Sequence, residues 1–168
     1  GGRPMWSEDA AFRPVFVVNA PDGSLFIADF YDFYIAHGQH YQSQIDPSTG
    51  RIYRLRGRES VLERDINLEK KSTDQLIALL SHPNKWHRHT AAHVLGERKD
   101  RSAGPKLERV LREDRALGAL NALWALQQMD ALDDRTAQAA FQHPYAPVRM
   151  WAVRLLGDRY GVNRGLGL

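Results

Sequence analysis

The sequence contains no cysteine. Disulfides, thiolate catalysis and cysteine-based zinc sites are therefore excluded, and the redox compartment is left open. No run approaches the ~18 apolar residues of a membrane-spanning helix, and the N-terminus has no signal-peptide pattern. Lys and Arg form no block. They are interleaved with acids, as in GERKDR and RVLREDR, and the formal net charge is only +3. Binding to nucleic acid calls for a basic stripe, so no polynucleotide partner is expected. A glycine-rich phosphate loop, a GxSxG nucleophile and an HExxH zinc motif are also missing.

What is present suits a folded protein. Hydrophobic residues make up 43% and charged residues 26% of 168, enough for one ordinary domain or two small units. The chain opens GGRPMW without an initiator Met, and is expected to be a piece of a longer polypeptide. Its apolar periodicity changes near Arg58 to Lys71. Before that point the period is that of strands: VFVVNA and SLFIADF flank Pro-Asp-Gly, a tight-turn signal, and RIYRL follows a second turn signal at residues 47–50. Three strands alone have too little core and two open edges, so this sheet is expected to have neighbours outside the chain.

After the break the period is helical. Thr73-Asp74 is expected to cap a helix ended by His82-Pro83-Asn84. Val148, Trp151, Ala152, Leu155 and Leu156 make one apolar face of the last helix. The segment SHPNKWHRHTAAHVLGER (81–98) aligns with QHPYAPVRMWAVRLLGDR (142–159) at an offset of 61, and RALGALNALWAL (115–126) fits between them as a diverged copy. A helix pair of about thirty residues, present three times, marks an α-solenoid and looks most like short HEAT-type repeats. Such repeats supply a rigid surface for a protein partner and no chemistry of their own.

Three groups could carry function. The first is the insert at 30–50, which with the preceding Asp29 holds Tyr31, Asp32, Tyr34, His37, His40, Tyr41 and Asp46. Two histidines three apart beside carboxylates suit a metal, or a base and its orienter, but spacing fixes no third ligand. The bland alternative is a loop packed on the sheet by its own aromatics. The second group is His82, His87, His89, His93 and His143, expected to be structural: His82 and His143 precede a proline at equivalent places and suit helix-ending turns, while His89 and His93 suit a solvated face. The third is Trp86, Trp124 and Trp151, one per repeat, expected to pack between repeats. Arg88 and Arg149, also equivalent, are expected to bond to a neighbouring turn or carboxylate.

The N-terminal half resembles a known family. FRPVFVVNAPDGSLFIADFYDFYIAH followed by GRIYRL looks like the last β-propeller blade of planctomycete–verrucomicrobial membrane-bound-dehydrogenase-like proteins. These are similar to pyrroloquinoline-quinone-dependent sugar and sorbosone dehydrogenases. Phe30 stands where the family phrase has Trp, and neither upstream blades nor a Cys-x-x-Cys-His haem site is present. The resemblance implies an α+β chain: a partial propeller blade at 1–58, a connector at 59–71 and HEAT-like repeats at 72–168. It implies a periplasmic or exported parent acting on a sugar or aldehyde, with quinone and often a c-type haem elsewhere in that parent. It places Asp29, Tyr31, Asp32 and Tyr34 near substrate or cofactor, with His37 or His40 as acid/base groups and no metal. The partners it implies are the remaining blades. The fragment alone is expected to be inactive, and a non-catalytic binding module is the rival reading.

Overall fold

The computed structural model describes residues 5–32 and 48–161, the side chains of 159–161 excepted. The architecture is α+β, a three-stranded antiparallel sheet followed by a helical solenoid, in two compact units of residues 1–63 and 64–168.

In the first unit β1 (Pro14–Asn19), β2 (Leu25–Asp29) and β3 (Arg51–Leu55) pair in sequence order. The first turn follows from Pro-Asp-Gly. Ala20 C=O accepts from the Gly23 amide at 3.0 Å, Ser24 C=O accepts from the Ala20 amide at 2.8 Å, and Gly23 takes φ +80°. This is a three-residue hairpin loop closed by a residue in the left-handed region, where only glycine sits without strain. Register puts Phe16, Ala28 and Ile52 on one face, followed by Val18, Phe26 and Arg54. That face is bare: Phe16 is 64% and Ile52 77% exposed. Val17, Ile27 and Tyr53 share the other face, where Ile27 is buried and the Phe12 ring meets Tyr53 edge-on at 5.9 Å.

The second unit stacks three helix pairs: α1 (Thr73–Leu79) with α2 (Lys85–Arg98), α3 (Ala103–Glu113) with α4 (Leu117–Gln128), and α5 (Asp134–Ala140) with α6 (Ala146–Gly161). Leu76, Leu80, Leu95, Leu107, Leu123, Leu126 and Val148 build one continuous core. The α6 face expected from sequence is present, with Val148 and Ala152 buried and Trp151, Leu155 and Leu156 packed beside them. The cap of α1 lies one residue earlier than expected. Ser72 Oγ accepts from the Gln75 amide while Gln75 Oε1 accepts from the Ser72 amide, a reciprocal box that Thr73 could not form with its neighbours.

The turn between the two helices of a pair is held the same way in the first and third repeats. Arg88 Nη1 donates to the carbonyls of His82 and Pro83 at 2.6 and 2.8 Å, and Arg149 Nη1 donates to those of His143 and Pro144 at 2.7 and 2.9 Å. The turn expected for both arginines is thus their own. The histidines serve these turns, as expected, by accepting from backbone amides. His82 Nδ1 accepts from the Asn84 amide and His143 Nδ1 from the Tyr145 amide, so the rings satisfy amides entering the next helix while arginine covers the carbonyls. His143 Nε2 also meets Asp114 C=O at 3.0 Å, which fixes the Nε2–H tautomer and ties the third turn to the second repeat.

Arg88 is buried, and its removal leaves two turn carbonyls without their charged donor. Arg88→Ala is expected to destabilise the helical unit by roughly 2–4 kcal/mol, with Arg88→Lys only partly restoring it. Urea denaturation followed by helical ellipticity measures the difference.

Candidate functional site

At the end of β2 the structure gives Asp29 a definite task. The residue is 3% exposed, and its Oδ1 accepts from the amides of Arg13 at 2.7 Å and Tyr31 at 3.1 Å. One side chain thus clamps the entry to β1 and the exit from β2. Asp29 Oδ2 is buried with no hydrogen-bond partner among the described residues. Tyr31 follows with φ +53°, a strained conformation for an aromatic residue, and the Arg51 guanidinium lies 3.7 Å over its ring. Asp32 is half-buried beside it. Tyr34, His37, His40, Tyr41 and Asp46 lie outside the described residues, so Asp29, Tyr31 and Asp32 are the part of the sequence-derived site that the structure locates.

At the other end of the same hairpin, a charged cluster escaped the sequence reading. Asp22 Oδ1 accepts from the Ser24 amide and hydroxyl at 3.0 and 2.6 Å, while Arg54 on β3 reaches Asp22 Oδ2 and, at 3.1 Å, Ser24 Oγ. The Ser24 hydroxyl and amide, then Arg54, hold the Asp22 carboxyl down to about 2. The available signal was a basic residue on the strand opposite an Asp-Gly-Ser turn.

The helical unit gathers its own surface. His89 of α2, Trp124 of α4 and Trp151 of α6 stand edge to face in a row, with ring centroids 5.6 and 5.0 Å apart. With Gln127, Gln128 and Leu155 they line a groove of about 400 Å³. Trp124 and Trp151 therefore pack between repeats, as expected, and also leave apolar surface open. Trp86 does not join them; its ring lies against His87. The first repeat contributes His89 instead, which repeat spacing alone would not select. His93 is solvated and 3.4 Å from Glu97.

The groove has a sign. Burial first, then the charges of Lys85 and Arg88, hold His89 below its ordinary 6.5, so the ring is neutral near pH 7. The Arg154 guanidinium sits 4.9 Å over the Trp151 ring at the other end. The aromatic floor thus has Arg154 against one of its rings and lies within electrostatic reach of Lys85, which favours negative charge beside its apolar surface. Among the described residues no group of three or more His, Asp or Glu is placed to hold a metal ion. No helix among them is long and apolar enough to cross a membrane.

Comparison with known families divides the chain at nearly the same place as its two units. A model described as a domain of unknown function (DUF7133) matches residues 5–59, and one described as HEAT repeats matches residues 62–127. No curated protein and no solved structure matches the chain. The HEAT match spans α1 to α4. The third pair, beyond it, repeats the first in its His-Pro turn and arginine clasp.

The Asp22 cluster makes a pH prediction. A carboxylate held near 2 against an ordinary 3.8 stabilises the fold fully above 3.8, and that contribution disappears as pH falls through about 2. The carboxyl ¹³C shift of Asp22 should titrate near 2, and Asp22→Asn should flatten the acid limb of hairpin stability between about 4 and 2. A midpoint near 3.8 contradicts the cluster.

Proposed function

We propose that the helical unit is a protein-docking scaffold and that its His89–Trp124–Trp151 groove takes a short acidic segment of a partner protein. The observation that carries this is the aromatic row itself, one ring from each repeat and open along one side, with the Arg154 guanidinium over the Trp151 ring and Lys85 near enough to act on His89. The HEAT match supports an interaction role for these helices. Partly buried tryptophans at the centre of a groove are residues that often dominate binding energy, and a cation at the rim steers acidic partners.

The test uses a fluorescein-labelled peptide with a Leu-Phe pair between acidic residues. Trp151→Ala should weaken binding by roughly tenfold or more, and Lys85→Glu, at an exposed position, by several-fold without loss of helicity. Binding should also weaken with salt. Equal affinity for a peptide flanked by lysines contradicts the assignment.

A second reading concerns the β unit and is favoured by its bare sheet faces. Phe16, Val18, Phe26 and Ile52 on one side, and Val15 and Val17 on β1, are exposed in numbers that a finished sheet covers. A propeller blade covers such faces with the blades on either side and holds four strands, so β3 would receive one more. The resemblance of this segment to dehydrogenase-like propellers then supports an exported, quinone-dependent sugar or aldehyde dehydrogenase-like parent. The described residues do not fit the cofactors. Asp29 is buried with its Oδ1 committed to backbone amides, the Arg51 guanidinium is stacked on the Tyr31 ring, and a chain without cysteine cannot attach a c-type haem through thioethers. In the intact parent, His37→Ala with His40→Ala is expected to lower sugar-dependent dye reduction at least tenfold; unchanged turnover removes these histidines from the chemistry.

A further inference from the structure

The repeat relationship exposes an unfilled interface on α6. The offset of 61 maps Met150 onto His89, Val153 onto Ala92 and Gly157 onto Gly96. In α2 these positions are where α4 packs. His89 meets the Trp124 ring, Ala92 is 2% exposed, and a Cβ added at Gly96 would stand 2.7 Å from Gln128 Cβ. The glycine is thus what lets α4 approach so closely.

In α6 the same three positions are open. Met150 is 60% and Val153 61% exposed, and a Cβ at Gly157 would meet nothing within 4 Å among the described residues. They lie at i, i+3 and i+7, on one face of the helix. A solenoid that ends on this face would be expected to carry polar residues there, because each repeat buries its apolar face only against the next. Here the stripe keeps the small residue and the apolar side chains that stacking requires, on a helix that is otherwise charged at Arg149, Arg154 and Asp158.

We propose that Met150, Val153 and Gly157 form a stacking surface for a fourth helix pair of the same repeat, carried on the same polypeptide, whose second helix packs on α6 as α4 packs on α2. The sequence supports that occupant. At the same offset, Asn163, Gly165 and Leu168 fall where Ser102, Gly104 and Leu107 open α3. A second copy of the chain is the weaker candidate, since α4, the helix shaped for this surface, is already packed between α2 and α6.

The experiment extends the chain. Residues 1–159 are continued with a second copy of residues 99–130, so that the third pair is followed by the sequence that follows the first. The extended chain should melt in one transition at least about 5 °C above the original. Met150→Lys with Val153→Lys should abolish that rise while leaving the melting temperature of the original chain unchanged. An appended pair that melts separately, or raises nothing, overturns the proposal. So does an original chain that sediments as a dimer and is made monomeric by the two lysines, because the face would then belong to a second copy.

Discussion

The first and third helix pairs depend on one device, an arginine that reaches back from the second helix of the pair to the two carbonyls of the turn before it. Those carbonyls end one helix and precede another, so neither helix can satisfy them. A guanidinium supplies two donors from a single planar group, which is why Arg88 and Arg149 do the same work 61 residues apart. The histidine before each proline completes the turn by accepting the amide two residues on. With both backbone directions satisfied, the turn is rigid and the angle between the helices is fixed. The clasp closes the turns leading into α2 and α6; in α4 Asn121 Nδ2 donates instead to the carbonyls of Leu80 and Leu117, and Trp124 of that helix joins His89 to Trp151.

The sheet is organised by carboxylates. Asp22 holds one end of the β1–β2 hairpin through Ser24 and Arg54, and Asp29 holds the other through the amides of Arg13 and Tyr31. Polar ties at both ends let three short strands keep their register while much of their apolar surface stays uncovered. The ties also explain how an aromatic residue tolerates φ +53° at Tyr31: its amide is bonded to Asp29 and its ring lies under Arg51.

The repeat was legible because its markers return in the same order and spacing. His-Pro, the arginine and Leu-Gly recur at a fixed offset, and the hairpin was legible because Pro-Asp-Gly leaves the backbone few choices. Less could be read where a side chain's role depends on a distant partner. Asp29 looks like a candidate ligand in sequence, since nothing there reveals the amides of Arg13 and Tyr31 folding onto it. His89 is exposed, as expected, but its ring contact with Trp124 could not be read because that neighbour lies on another helix. The DUF7133 and HEAT matches mark the same division as the change in periodicity, yet neither carries the groove, which arises only when three helices align.

The link from clasp to groove is the claim on which the functional reading rests. Two indoles 5.0 Å apart at a steep angle couple excitonically, and their couplet in the circular dichroism spectrum reports their mutual geometry. It is isolated by subtracting the spectrum of Trp124→Phe. In Arg149→Ala the turn beneath α6 loses its clasp, so the couplet should vanish while the helical signal is retained. A couplet unchanged in that variant would show that the aromatic row forms without the arginine, and would contradict the account.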